Sequence, residues 1–131
     1  QGVSSAASDV YKRQAEDDEH NTTRFLLMSA TPSVPAAGGD MITTLVFQLR
    51  SVPAALYKAL GGFATNGVNL TKLESYIRAG VAEQAQFYMD VQAHIDDPAM
   101  QNAMEELRFY CSKDEVHVLG SYPASPSRSK P

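Results

Sequence analysis

The chain has 131 residues, 44% of them hydrophobic and 20% charged, with one Cys, no Trp and a net charge of −4. This composition excludes a chain disordered throughout and an internal disulfide framework, and its acidic balance argues against an electrostatic nucleic-acid binder. No apolar run approaches the roughly 20 residues of a membrane span. No secretory core follows the N-terminus, so a reducing cytoplasm is the expected location.

Residues 1–20 are mostly small or polar and carry no apolar period. Val3 to Gln14 resembles a translated cloning or sequencing adapter; a native disordered terminus is the other reading. Arg24 to Met28 is a short strand candidate. The Thr-Pro-Ser-Val-Pro-Ala-Ala-Gly-Gly-Asp run makes 31–41 a linker by composition. The patterned block 42–123 is the domain, and 124–131, rich in Ser and Pro, is a disordered tail.

Within the block, Leu45, Phe47 and Leu49 alternate with Thr44, Val46 and Gln48, a strand period. Pro53 opens a helix with Leu56, Ala59, Leu60 and Phe63 at helical spacing, and Asn66-Gly67 stops it. Val68 to Ile77 is a second strand whose apolar parity shifts, which predicts a bulge near Thr71. Arg78-Ala79-Gly80 is a turn. Phe87, Met89, Val91 and Ala93 then face one way and Gln86, Tyr88, Asp90 and Gln92 the other. Asp97 as N-cap and Pro98 as first helical residue start a second helix, with Met100, Ala103, Met104, Leu107 and Cys111 as its buried stripe. Glu115 to Tyr122 is the last strand.

The order β-α-β-β-α-β predicts an α+β, ferredoxin-like fold: a four-stranded antiparallel sheet with two helices on one face. About 80 residues build a marginal core, and open sheet edges invite pairing with a second copy. Cys111 reads as a small core residue. His94 and His117 lack a metal-ligand spacing pattern, so no metal is expected. His20 with Glu16, Asp17, Asp18 and Glu19 reads as a solvated acidic loop. Gly61-Gly62 reads as close packing or a weak spot in a helix rather than a phosphate cradle.

The run Val52-Pro53-Ala54-Ala55-Leu56-Tyr57-Lys58-Ala59-Leu60, followed by Gly67-Val68-Asn69-Leu70-Thr71-Lys72-Leu73-Glu74-Ser75, is similar to the paired motifs of the ACT regulatory domain of prephenate dehydratases. Val118-Leu119-Gly120-Ser121-Tyr122-Pro123 resembles that family's final strand. Asn21-Thr22-Thr23-Arg24-Phe25 resembles its T-R-F catalytic motif, which places 21–30 at the end of a catalytic domain. Two features depart from the pattern: Ala54 stands where the family usually has Gly, and Tyr76-Ile77 follows Glu74-Ser75 where many members have Arg-Pro.

The resemblance implies conversion of prephenate to phenylpyruvate, water and carbon dioxide by the whole enzyme, without a cofactor. It implies L-phenylalanine as feedback inhibitor, bound between two ACT domains of a homodimer or tetramer. Thr23 would assist departure of the ring hydroxyl, Arg24 would orient a carboxylate or make a structural ion pair, and Phe25 would pack behind Thr23. The rest of the catalytic domain would precede this segment, so the chain alone is expected to be inactive.

The candidate ligand residues are Pro53, Ala54, Ala55, Leu56, Asn69, Leu70, Thr71, Glu74 and Ser75. Pro53 leaves the N–H groups of Ala54, Ala55 and Leu56 free at a helix start, which attracts a carboxylate. Asn69 offers a side-chain carbonyl to an ammonium. Leu56, Leu70 and Leu73 line an apolar pocket, and Glu74 and Ser75 face it from the other subunit. An ACT-type module for another amino acid is the alternative. An RNA-binding module of the same topology needs a basic, aromatic third strand, and Gln84 to Asp90 holds no Lys or Arg.

Overall fold

The computed structural model describes residues 23–77 and 85–126. Residues 1–20, Asn21, Thr22, the Arg78-Ala79-Gly80 turn and residues 127–131 lie outside them. The chain divides between Ala30 and Thr31 into two compact units. In the first, residues 23–28 carry no strand, against the expectation for Arg24 to Met28. Alternating apolar residues become a strand only when a neighbouring strand takes their backbone bonds, and here Leu26, Leu27 and Met28 stand exposed.

The second unit has the expected order: β1 (Met41–Leu49), α1 (Ala55–Thr65), β2 (Leu70–Ile77), β3 (Ala85–Val91), α2 (Pro98–Tyr110) and β4 (Cys111–Pro123). The antiparallel sheet has the order β2-β3-β1-β4, with β1 and β3 central. Met41 is buried and pairs with Pro123, so the first strand takes in the last residue assigned to the linker.

The core lies between the helices and the odd-numbered face of the central strands. Leu45, Phe47, Phe87, Met89 and Val91 meet Ala59 and Phe63 of α1 and Met100, Ala103, Met104 and Leu107 of α2. Phe47 and Phe87, paired across β1 and β3, stack with centroids 5.3 Å apart. Of the two adjacent glycines in α1, Gly62 is the packing residue: a Cβ there would lie 2.9 Å from Cβ of Glu106 on α2, while Gly61 faces open space.

Leu70 pairs with Val91 and Lys72 with the adjacent Asp90, so Thr71 is the extra residue of a bulge. On β4 the pairing jumps from Phe47–Val116 to Leu49–Cys111. The extra residues between are accommodated by Asp114 at φ 59. The last strand therefore begins at Cys111, four residues before Glu115. Cys111 caps the end of α2 instead of extending its stripe. It is buried, and burial pushes its thiol up to about 11, which keeps it protonated and inert.

Asp97 occupies the N-cap of α2 but makes no side-chain cap bond. Its Oδ2 accepts from the backbone N–H of His94 at 3.0 Å instead. Two buried threonines on β1 are satisfied through distant partners. Thr43 Oγ1 donates to the Ala93 carbonyl and lies 2.6 Å from Ser121 Oγ. Thr44 Oγ1 donates to Asp90 Oδ1 at 2.5 Å and lies 2.8 Å from the Tyr122 hydroxyl.

Candidate functional site

The segment between β1 and α1 is held from behind by Arg50. Its N–H donates to the Tyr110 carbonyl at 3.0 Å and its Nη2 to the Phe109 carbonyl at 2.6 Å, while the guanidinium lies 5.4 Å from the Phe109 ring centroid. A cation on the last carbonyls of α2 suits the negative end of that helix. No sequence motif marked Arg50; a lone basic residue at a strand end was the signal available.

The chain then turns through Val52-Pro53-Ala54-Ala55, where Ala55 N–H donates to the Val52 carbonyl at 3.2 Å. Ala54, at φ 56 and ψ 30, adopts the left-handed conformation. A turn with Pro second and a positive φ third is the type II pattern, whose third place favours Gly. This gives a physical reason for glycine at that place, and Ala54 bears the strain of its Cβ. Ala54→Gly is expected to stabilise the chain by about 1 kcal/mol. A raised urea midpoint checks it; an unchanged or lowered one would mean that this turn is not left-handed in solution.

The turn changes the set of free amides. Ala55 N–H is taken by Val52, and Pro53 has none. Among the described residues no partner is found for the N–H groups of Ala54, Leu56 and Tyr57. The helix start also lacks a side-chain cap and an acidic residue in its first turn. Three N–H donors thus lie together at the positive end of α1. Leu56 beside them is half-buried against the core, and Tyr57 is exposed.

Asn69 lies at the other end of the helix. Its Nδ2 donates to Gln92 Oε1 at 2.8 Å, and its backbone carbonyl accepts from Gln92 N–H. The Asn69 side-chain carbonyl keeps its capacity to accept, and Gln92, which the sequence did not single out, fixes the amide's orientation. An 11-residue helix is about 16 Å long. Within one copy, therefore, Asn69 and the Ala54 amides cannot touch one amino acid.

Strand β2 is an edge strand, and its register sorts the remaining candidates. Leu70, Leu73 and Ser75 pair with Val91, Met89 and Phe87, core-facing residues, so they look toward the helical layer. Glu74 pairs with Tyr88 and looks the other way, with Lys72 3.3 Å from it. Glu74 and Ser75 therefore do not face one pocket together, because neighbours on a strand point to opposite faces. Thr71, at the bulge, bonds the Asp90 carbonyl at 3.4 Å. Leu73, Tyr76 and Ile77 leave apolar surface exposed along this edge.

The remaining candidates lie elsewhere. Thr23 and Phe25 are exposed and Arg24 is half-buried in the first unit. His94 is in the loop after β3, not on a strand, and His117 is exposed on β4. A groove of about 630 Å³ lies between the end of α1 and α2, lined by Thr65, Asn66, Asn102, Glu105, Glu106 and Phe109. It includes none of the predicted site residues.

The sheet order, the helix pair on one face and the glycine-type turn before α1 define an ACT-type regulatory domain. No protein-family model matches the chain. A bifunctional N-acyl-homoserine lactone acylase/prephenate dehydratase of Komagataeibacter europaeus is 48% identical over 124 residues, 94% of this chain and 43% of that protein. A prephenate dehydratase of Mycobacteroides abscessus is 38% identical over 108 residues, 82% of this chain and 34% of its own length. The structure of prephenate dehydratase from Arthrobacter aurescens in complex with L-Phe matches with a TM-score of 0.65 at 30% identity, over 73% of this chain and 31% of that one. The chain belongs with the prephenate dehydratases and spans between about a third and two fifths of the length of these relatives.

Proposed function

We propose that this chain is the regulatory part of a cytoplasmic prephenate dehydratase and binds L-phenylalanine between two copies of its ACT domain. The observation that carries the reading is the free amide cluster at the start of α1, with Asn69 a helix length away. Two copies related by a two-fold axis can set their α1 helices antiparallel, which brings the helix start of one beside Asn69 of the other. The ligand's carboxylate then meets the amides of Ala54, Leu56 and Tyr57, and its ammonium meets the Asn69 carbonyl. Leu70 and Leu73 offer apolar surface to the ring. Binding favours the less active state of the whole enzyme by its differential affinity for the two states.

In that enzyme prephenate is the substrate. Thr23 donates a hydrogen bond to the departing ring hydroxyl, Arg24 holds a carboxylate, and Phe25 packs behind Thr23. The domain boundaries that accompany this reading are 21–30 for the end of the catalytic domain and Met41 for the start of the ACT domain. The acylase activity in the first relative's name is that protein's own; no residue described in this chain points to it.

Calorimetric titration with phenylalanine tests the site. Losing a hydrogen bond to a charged group weakens binding by roughly 10- to 100-fold, which is expected for Asn69→Ala. Leu56→Trp, which fills the space beside the amides, should abolish binding. Unchanged affinity in both variants would overturn the proposal.

A further inference from the structure

His94 is 2% exposed, yet it belongs to a loop, and its ring reaches out of the ACT domain to the linker. Its Nε2 lies 2.7 Å from the Pro35 carbonyl oxygen, and its Nδ1 3.1 Å from the backbone N of Asp96. A carbonyl only accepts, so Nε2 must carry a proton. The Asp96 N–H only donates, so Nδ1 must offer a lone pair. Both bonds select the same neutral tautomer. The carboxylate facing the ring is Asp96, 3.8 Å from Nδ1, and that of Asp97 holds the residue's own N–H.

The platform behind the ring is rigid. Ala93 is tied to Thr43 of β1, Ile95 N–H donates to Ser121 Oγ of β4 at 3.1 Å, and Gln101 Nε2 donates to the Ile95 carbonyl at 2.5 Å. The linker, by contrast, is exposed at every residue from 31 to 40 except Pro35. Proline fixes the backbone around its carbonyl and has no N–H to offer elsewhere. The next anchor is at Asp40, whose carbonyl accepts from Ala124 N–H at 2.7 Å.

We infer that His94 is a clasp: a positioning residue that pins the linker to the ACT domain at Pro35 and makes it a strap with a set direction instead of a free tether. The inference stands whether or not phenylalanine is the ligand.

Two variants separate the two bonds of the ring. In His94→Gln the side-chain NH2 replaces Nε2–H and keeps the bond to Pro35. In His94→Asn the side-chain oxygen replaces Nδ1 and keeps the Asp96 bond, but nothing reaches Pro35. Nuclear magnetic resonance of the full chain reads both the tautomer and the order of the linker. The expected result is an Nε2–H imidazole and heteronuclear NOE values at Val34 and Ala36 near those of the strands. These values should be kept in His94→Gln and lost in His94→Asn, with strand resonances preserved in both. Proteinase K should cleave within 31–40 at least tenfold faster in His94→Asn alone. Low heteronuclear NOE values throughout the linker of the wild type, an Nδ1–H tautomer, or equal linker order in both variants would overturn the inference.

Discussion

Phenylalanine at about 100 times its dissociation constant should stabilise this chain by roughly 2.7 kcal/mol. For a folded unit of this size, that raises Tm by on the order of 10 °C. Tyrosine, tryptophan and leucine at the same concentration should do less. The discrimination follows from the surface offered to the side chain: Leu70 and Leu73 give a phenyl ring apolar contact. A tyrosine hydroxyl buried there would lose its water without a partner. Leucine keeps the carboxylate and ammonium contacts but buries less area. Because the proposed site needs two copies, the rise should also grow with chain concentration. Differential scanning fluorimetry across the four amino acids reads all of this. Equal shifts for all four, or none for any, would remove phenylalanine as the ligand.

Phe63→Ala should cost about 3–5 kcal/mol, the range for removing a buried aromatic ring. Phe63 is fully buried on α1, inside the cluster built by Leu45, Phe47, Met104 and Leu107. Adjacent Gly62 sets the close approach of α1 to α2, so there is little freedom for the helices to collapse into the space left. With a total stability of 5–15 kcal/mol for an ordinary domain, the variant should be near its unfolding midpoint at modest urea. A fall in midpoint at unchanged denaturant slope checks it. A loss below about 1 kcal/mol would mean that α1 does not pack through this face. Such a variant would lose phenylalanine binding merely by unfolding, so it also calibrates the ligand experiments: Asn69→Ala is expected to lose affinity with its stability kept.

Much of the ACT fold was legible because its signals are local. Alternation at Leu45, Phe47 and Leu49 and again at Phe87, Met89 and Val91 follows from the two-residue period of a strand. The shift of parity after Leu70 gave the bulge at Thr71, because one extra residue must move every later side chain to the other face. The stripe of Met100, Ala103, Met104 and Leu107 follows from the helical period. Cys111 reads as part of that stripe because it sits four residues after Leu107, yet it ends the helix. The chain can leave a helix at such a position and bury the same side chain from a strand.

What was not legible depends on partners far along the chain. Asp97 reads as a cap, but its carboxylate bonds the His94 N–H and makes no cap bond to the helix. Arg24 to Met28 reads as a strand, but strand pairing is a property of a neighbour, not of the segment. In the free amide set at α1, Tyr57 replaces Ala55 because the Ala55–Val52 bond depends on the left-handed Ala54. The separation of Asn69 from Ala54 follows only from the direction of α1. The motifs put both residues on the page; the helix between them shows that one copy does not bring them together.

The central claim is a site shared between copies, and mixed chains test it most directly. Asn69→Ala and Leu56→Trp chains are each titrated alone with phenylalanine, then mixed to exchange partners and titrated again. In a mixed pair, the intact helix start of the Asn69→Ala copy meets the intact Asn69 of the Leu56→Trp copy. The account predicts weak or no binding by either variant alone. After mixing it predicts wild-type affinity at one site in each mixed pair. Mixing that restores nothing, with the wild-type chain binding normally, would place the site within one copy and contradict the account.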